Sequence, residues 1–388
     1  MPTPTSKPIT DLLDYHLKAQ HTPGALVHVE RAAQTLARHA AGHIRPDDDA
    51  AMHMDVRFRI ASLTKPVVTL AALMLVDEGR LDLDAAVGDV LPVLRGMRLK
   101  GGQAPQRAPT VRDLMCHTAG LSYPYELGDA ELRTAWAGAG LAPGASGTDA
   151  AGFLDRLAPL PLVAEPGTAF RYGYSTDVLG CVVEQIEGEA LGAVLRRRVF
   201  EPLGMTKTNF CIAADEGNNL ASAYASDAAW HATVAPMGQR HAGQPWMDSG
   251  GGGLISTLDD YAALGRCLAN GGVIGGVVGS VAGGAAGGQR LLSERLFAET
   301  TRNQLPAGVE GPAGYCGAGF GFGLGLAVRH DWGPAAMPCT AGELTWSGIS
   351  GTALFVQPRE RWFALMFSSN MSSRMMARME FRRALARL

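Results

Sequence analysis

Apolar and polar residues alternate with clear periods near the start of the chain and again in its last third. Residues 9–20 repeat Ile and Leu at three- and four-residue spacing, which predicts an amphipathic helix. Dense apolar residues followed by Gly79 predict a buried helix over 62–78. Alternating or continuous apolar runs predict two strands, at 25–31 and 34–44, and segment 56–60 then leads into the buried helix.

The middle of the chain has a different pattern. Proline and glycine interrupt it repeatedly, which predicts loops and short helices, the latter at 111–116, 181–188 and 190–200. Strand patterns then return, at 320–328, 344–346, 352–357 and 362–368. A basic helix is predicted for the last segment, 375–388.

This order of elements predicts a mixed α/β (α+β) fold, in which an antiparallel β-sheet is flanked by N- and C-terminal helices. A mostly helical domain is inserted into that sheet domain. We predict that residues 1–100 and 215–388 form the sheet domain and that residues 101–214 form the helical domain. The active site is expected between them.

The composition describes a folded protein without an obvious affinity for nucleic acid or membranes. Hydrophobic residues make up 47% of the chain and charged residues 18%, and the net charge of -3 gives no basic patch. The apolar segment 66–76 is about half as long as a membrane span. Segment 271–288 is uncharged but rich in glycine, so we expect a flexible surface insertion.

The cysteines and the N-terminus indicate a cytoplasmic location. Residues 1–8 carry no apolar core of the kind that a secretory signal needs. The six cysteines are scattered without a C-x-x-C pair, so we expect them to be reduced and buried.

The candidate chemistry centres on the S-x-x-K sequence Ser62-Leu63-Thr64-Lys65, at the start of the predicted buried helix. Residues three apart in a first turn share a face, so Lys65 can reach the Ser62 hydroxyl as its base. Alternatively, Ser62 only caps the helix and Lys65 is solvated, although a lysine there opposes the helix dipole. A neutral lysine at pH 7 costs about 4.6 kcal/mol, so catalysis requires a lowered pKa or a shared proton.

Two other segments can complete such a site. A phenol from the aromatic segment 170–175 could share the serine proton, although an isolated tyrosine in such a cluster more often belongs to the core. The predicted strand at 344–346 runs into Gly348, and a backbone N–H at that edge could pair with the N–H of the nucleophile as an oxyanion hole. By itself this segment is only a strand that ends in glycine.

Competing motifs are weaker. The chain has no G-x-S-x-G sequence, and His117 lies in a His-Thr-Ala-Gly-Leu segment where a structural role is expected. Segment 249–253 is glycine-rich but lacks the lysine of a phosphate loop, so it is predicted to be a tight turn near the pocket. The ten histidines show no ligand spacing, and no metal site is predicted.

Taken in order, these segments resemble the serine β-lactamase and penicillin-binding-protein superfamily, most closely the family VIII carboxylesterases, which look like class C β-lactamases. The resemblance extends over nearly the whole chain and rests on segments 58–84, 114–121, 165–172, 202–205, 249–260 and 346–348. It implies that Ser62 is the nucleophile and that Lys65 and Tyr172 are its catalytic partners. It also implies that the backbone N–H groups of Ser62 and Ile349 form the oxyanion hole.

The departures from β-lactamases concern the substrate. Tyr174 stands where they place the asparagine of Y-x-N, and Trp346 stands where they place the lysine of K-T-G. Losing an amide and a cation argues against penicillin-like anions, whereas a tryptophan suits an uncharged, partly apolar group. We predict that Tyr174, Trp346, Ser347 and Gly348 line the substrate pocket.

The resemblance therefore implies a serine carboxylesterase that hydrolyses short-to-medium chain esters through an acyl-enzyme, without cofactor or metal. The expected partner is a small-molecule ester, with neither nucleic acid nor membrane. A β-lactamase, a D-aminopeptidase, another amide hydrolase of this fold or an acyltransferase are alternatives, as is a non-catalytic acyl-binding protein. The sequence leaves open the physiological substrate, the acyl chain length, the enantioselectivity and the oligomeric state.

Overall fold

The computed structural model describes residues 7–45, 49–141, 148–212, 217, 219–222, 224–225, 232–233, 246–275 and 288–388. The strands in these ranges are β1 Gly24–Arg31, β2 Gln34–Gly42, β3 Arg57–Arg59, β4 Tyr224–Ala225, β5 Ala232–Thr233, β6 Ile255–Thr257, β7 Val273–Ile274, β8 Gln289–Arg290, β9 Phe320–Phe322, β10 Ala327–Arg329, β11 Leu344–Ser347, β12 Thr352–Gln357 and β13 Trp362–Ser368.

Helices precede, follow and interrupt the strands. They are α1 Lys7–Lys18, α2 Thr64–Asp77, α3 Val87–Val90, α4 Val111–Cys116, α5 Ala130–Gly138, α6 Ala150–Leu157, α7 Ser175–Glu187, α8 Leu191–Leu195, α9 Glu201–Leu203, α10 Leu258–Ala269, α11 Glu294–Thr300, α12 Ala313–Cys316 and α13 Arg374–Leu385. Short 3-10 turns lie at Ala61–Leu63, Pro92–Leu94 and Pro124–Glu126, and a π-helical turn lies at Arg196–Phe200.

A seven-stranded antiparallel sheet forms the scaffold, in the order β2-β1-β13-β12-β11-β10-β9. Strand β1 pairs with β13 across the whole length of the chain, with Ala25 opposite Ser368 and Arg31 opposite Trp362. The first and last parts of the sequence are therefore held side by side, as the second and third strands of the sheet.

The alternation of side chains along β1 separates two apolar cores. Val27 and Val29 face α1 and α13, where they belong to one buried cluster with Leu13 and Phe381. Leu26 points to the opposite face and joins the larger cluster, which includes most of α2. Every strand residue from the start of β1 to its penultimate position is consequently buried.

Helix α2 lies inside this larger core. Nearly all of its residues, from Thr64 to Leu75, are buried, and it packs against α7 and α8. A helix that is apolar on all sides is buried by its neighbours. The start of α2, where Ser62 and Lys65 lie, is thereby held in the interior instead of at a free helix end.

The predicted fold class is confirmed: an antiparallel sheet carries helices from both ends of the chain and is interrupted by helices. The strands at 352–357 and 362–368 and the helix at 111–116 have the predicted bounds. The division into two domains stays a prediction. The predicted insertion at 271–288 lies mostly outside the described residues.

The single strand predicted over 320–328 is wrong. The structure has two antiparallel strands there, β9 and β10, with Ala327 opposite Phe322. Gly323 donates its N–H to the Leu326 carbonyl at 2.8 Å, and Gly325 adopts a φ of +84°, so the chain turns back between them. The apolar run is continuous because the turn itself is buried.

Two further expectations are modified. All six cysteines are free, but only four of them are buried, whereas Cys211 and Cys339 are partly exposed. The helix predicted at 181–188 begins earlier, at Ser175, because the first turn contains polar residues that the apolar pattern does not include.

In the described part of the chain, none of the helices has the length and hydropathy needed to cross a membrane.

Candidate active site

Ser62 lies in the 3-10 turn that leads into α2, and hydrogen bonds from distant segments hold this turn on both sides. Tyr261 donates its hydroxyl proton to the Leu63 carbonyl at 2.7 Å. Thr352 donates to the Ile60 carbonyl at 3.1 Å. Ala61 adopts a φ of +46°, which is unusual for a residue with a side chain. The turn is therefore fixed by tertiary contacts against its local preference.

Lys65 is buried, with only 1% of the residue exposed. Its amine donates to the Ser62 hydroxyl at 3.3 Å, to the Tyr123 hydroxyl at 3.3 Å and to the Gly251 carbonyl at 2.6 Å. Burial lowers the pKa of Lys65 from 10.5 to about 7, although the charge of Asp177 acts in the opposite direction. The interpretation of Lys65 as a solvated surface lysine is therefore wrong.

Tyr172 approaches the serine from the other side. Its hydroxyl donates to the Ser62 Oγ at 2.6 Å. Burial is the main cause that raises the pKa of Tyr172 well above its ordinary value, so the phenol stays protonated near neutral pH. The Lys65 amine lies 4.6 Å from the centre of the Tyr172 ring. The Ser62 hydroxyl thus lies between a potential base and a potential acid.

Three residues that contribute to this arrangement were not predicted from the sequence: Tyr123, Asp177 and Gly251. The Asp177 carboxylate accepts hydrogen bonds from the Ser249 hydroxyl at 2.6 Å and from the Gly251 N–H at 3.0 Å. The glycine-rich segment had been predicted as a tight turn near the pocket, and its Gly251 carbonyl contacts Lys65. Tyr123 and Asp177 belong to no motif, so only their contacts reveal them.

The end of β11 packs closely against the turn that carries Ser62. A Cβ atom added to Gly348 would lie 2.4 Å from the Ile60 carbonyl, so only glycine fits there. Ser350 donates its hydroxyl proton to the Arg59 carbonyl at 2.6 Å. Ile349 lies between these two contacts, in the connection from β11 to β12. Its backbone is placed near the turn that carries Ser62, and its role in an oxyanion hole stays a prediction.

His117 is buried beside the site at the C-terminal end of α4, where its φ is +56°. Its ring lies 4.8 Å from that of Tyr172, measured between centroids. Burial lowers its pKa well below the ordinary value, and the nearby Lys65 charge adds to the effect. A neutral ring in this position agrees with the predicted structural role. In the described ranges, no group of three or more His, Cys, Asp and Glu side chains could hold a metal ion.

Comparison with known proteins shows the family to which the chain belongs. The model of the Beta-lactamase family matches residues 9–388. The chain belongs to the Beta-lactamase family. The superfamily resemblance predicted from the S-x-x-K sequence and its partner segments is thereby confirmed.

Within the Beta-lactamase family the chain is similar to esterases. It is 32% identical over 377 residues to the esterase EstB of Burkholderia gladioli. The alignment covers 89% of this chain and 85% of that protein. The structure of EstCE1, a hydrolase with promiscuous acyltransferase activity, superposes with a TM-score of 0.81 at 27% identity over 98% of each chain. A class C β-lactamase from Rhodobacter sphaeroides shares the fold, with a TM-score of 0.65 at 19% identity over 98% of this chain and 99% of that one.

The two positions where the sequence departs from β-lactamases of the family are both buried. Tyr174 packs its ring 4.7 Å from Tyr123, between centroids, and stacks on Trp136 at 6.0 Å. Trp346 packs 5.3 Å from Tyr172. Trp346 therefore packs against Tyr172, and Tyr174 packs against Tyr123, which contacts Lys65; contact of either side chain with substrate stays a prediction.

Exposed apolar surface near the site comes from other residues. Tyr125 is 65% exposed and stacks on Tyr123 with ring centroids 5.3 Å apart, and Ile349 is 36% exposed. Neither was predicted as a pocket wall through its side chain. Ser347 is half-buried at the end of β11 and Gly348 is buried, so close packing limits what the latter can offer a substrate.

Proposed function

We propose that this protein is a serine carboxylesterase that hydrolyses short-to-medium chain esters through an acyl-enzyme, without a cofactor. One observation carries the proposal: the Ser62 hydroxyl lies 3.3 Å from the buried Lys65 amine and 2.6 Å from the Tyr172 hydroxyl. A nucleophile within hydrogen-bond reach of both a base and an acid is the arrangement that covalent catalysis requires.

In the acylation step, the neutral Lys65 amine takes the proton of Ser62 while the serine oxygen attacks the ester carbonyl. The N–H groups of Ser62 and Ile349 donate hydrogen bonds to the oxyanion that forms. Tyr172, which is protonated near neutral pH, gives its proton to the departing alcohol oxygen and recovers one from Lys65. The proton of the serine thus reaches the alcohol, and no charge is left behind.

Deacylation repeats these transfers with water in place of the alcohol. The neutral Lys65 amine removes a proton from the water, and the water oxygen attacks the acyl carbonyl. The proton then returns to the Ser62 oxygen as the carboxylic acid leaves. Two easier steps replace one difficult displacement, which is the benefit of a covalent intermediate.

The proposed preference for neutral esters rests on positions 346 and 174. Trp346 replaces the lysine of K-T-G and Tyr174 replaces the asparagine of Y-x-N, so the groups that hold a β-lactam carboxylate and amide are missing there. The similarity to EstB supports an ester as substrate. The small-molecule ester is the proposed partner, and the cytoplasmic location stays a prediction.

We also propose that the site lies between the sheet domain, 1–100 and 215–388, and the helical domain, 101–214. The contacts support this division. Ser62 and Gly251 come from the first, whereas Tyr123, Tyr172 and Asp177 come from the second.

An acyltransferase is the second candidate, because EstCE1 is a hydrolase with promiscuous acyltransferase activity. An alcohol would then attack the same acyl-enzyme in place of water. Adding a primary alcohol to the esterase assay and measuring the new ester by chromatography distinguishes the two. Ester yield above that of the free carboxylic acid favours the transferase. The β-lactamase alternative is tested by comparing nitrocefin with the ester at equal enzyme concentration. A much higher kcat/KM on nitrocefin favours that alternative.

The decisive experiment replaces the nucleophile. Ser62→Ala is expected to reduce hydrolysis of p-nitrophenyl butyrate to background, with Ser372→Ala, at an exposed serine, as the matched control. Mass spectrometry after treatment with a fluorophosphonate is expected to find the label on Ser62 in the wild-type protein. Retained hydrolysis in Ser62→Ala contradicts the proposal, and an unlabelled Ser62 favours the non-catalytic alternative.

A further inference from the structure

Asp177 is a buried carboxylate in the first turn of α7, and the mechanism above does not use it. Its Oδ1 atom accepts hydrogen bonds from the Ser249 hydroxyl at 2.6 Å and from the Gly251 N–H at 3.0 Å. Burial raises the pKa of Asp177, whereas the nearby Lys65 charge and these two donors lower it. A carboxylate buried this deeply requires compensating hydrogen bonds or an opposite charge, because burying a charge is unfavourable without partners.

The backbone of Gly251 connects this carboxylate to the catalytic lysine. Its N–H points to Asp177, and its carbonyl accepts from the Lys65 amine at 2.6 Å, the shortest of the three bonds that the amine makes. A Cβ atom at position 251 would lie 2.2 Å from the Asp177 Oδ2, so the approach depends on glycine. The acid and the lysine thus hold the two backbone polar groups of one residue, which belong to consecutive peptide units.

The other titratable groups around the pair carry no charge near neutral pH. Burial lowers the pKa of His117 and raises those of the tyrosines and of the cysteine. These neighbours, from α4, the loops and α7, are His117, Tyr123, Tyr172, Tyr174 and Cys181. In the described part of the chain, Asp177 is the carboxylate whose charge acts on Lys65.

We propose that Asp177 is a positioning residue for acyl transfer. It holds the Gly251 backbone so that the Gly251 carbonyl lies against the Lys65 amine, and it balances the positive charge that Lys65 acquires when it takes the proton of Ser62. The carboxylate bonds to Ser249 and Gly251 instead of to Ser62, and it keeps its own charge throughout. This inference rests on the proposed esterase function.

The test is Asp177→Asn, which removes the charge and keeps the size. Without the negative charge, the protonated amine is less favourable, so Lys65 loses its proton at lower pH. The pH below which kcat/KM for p-nitrophenyl butyrate declines is expected to move down by about one pH unit, with a lower maximum. A purely structural Asp177 gives a lower maximum with the decline at the wild-type pH, and that result overturns the inference.

Ser249→Ala is the matched control, because it removes one hydrogen bond to the carboxylate and keeps the charge. We expect kcat to fall about threefold to tenfold, with KM and the pH of the decline unchanged. Should Asp177→Asn not fold, as judged by circular dichroism, this variant decides alone, since a wild-type kcat overturns the positioning role. Failure of the esterase proposal is distinct: the wild-type protein then neither hydrolyses esters nor takes the fluorophosphonate on Ser62.

Discussion

The rate of ester hydrolysis should depend on pH through the protonation of Lys65. Burial lowers the pKa of this amine from 10.5 to about 7. The difference corresponds to about 5 kcal/mol against the charged form, at 1.36 kcal/mol for each pKa unit. Its three hydrogen-bond acceptors and the Asp177 charge offset only part of the desolvation. The fold therefore produces a base that is partly neutral at physiological pH.

This value sets the size of the effect. With a pKa of about 7, roughly half of the amine is neutral at pH 7 and about a tenth at pH 6. The rate constant kcat/KM should therefore approach a tenfold decrease for each pH unit below 7. A lysine with its ordinary pKa of 10.5 would be neutral in only about one molecule in three thousand at pH 7.

The assay measures kcat/KM for an uncharged p-nitrophenyl ester from about pH 5 to about pH 9, at the isosbestic wavelength of the product. Ser62→Ala supplies the background rate, and circular dichroism checks that the protein stays folded over the range. A decline centred above about pH 9, or a rate independent of pH, refutes the assignment of Lys65 as the base.

Three further variants test the site and its support. Tyr172→Phe should lower kcat by about a hundredfold or more with an unchanged melting temperature, because it removes the proton donor to the serine oxygen; Tyr123→Phe, the matched phenol, should cost less, and equal losses contradict the assignment. Ala61→Val should destabilise the fold by about 2–3 kcal/mol in denaturant titrations, because a β-branched residue is crowded at φ +46°, whereas Ala61→Gly should stay within about 1 kcal/mol; similar values for both argue against strain. Glu343→Ala should destabilise by about 3–5 kcal/mol, because it leaves Arg382 buried and unpaired, and adding Arg382→Met should recover most of the loss; no recovery contradicts this reason.

Stability should also depend on pH, and the sign follows from the same lysine. Its pKa is lower in the folded protein than in the unfolded chain, so the unfolded chain binds more protons between about pH 7 and pH 10.5. The contribution of Lys65 to the free energy of unfolding therefore rises with pH across that window. Lys65→Met should remove this part of the pH dependence in denaturant titrations.

Local sequence determined those elements whose caps or apolar patterns lie within the segment itself. Thr110 and Asp113 form a capping box, so the helix at 111–116 begins where the sequence predicts. Alternation and apolar content likewise predicted the strands at 352–357 and 362–368. Ser62 and Lys65 are three positions apart, so spacing predicted that the two side chains can meet, as they do at 3.3 Å.

Tertiary structure decided the properties of the site that depend on distant residues. Tyr172 reaches the serine across 110 positions, Tyr123 reaches Lys65 across 58, and Gly251 does so across 186. The resemblance to a family indicated Tyr172, but nothing near Tyr123 or Asp177 in the sequence indicates a role. The residues near Lys65 in the sequence likewise do not show that burial lowers its pKa to about 7. Periodicity predicts which face of a helix is buried. The desolvation of one amine, and the position of the carbonyl that accepts its hydrogen bond, depend instead on how several segments close around that amine.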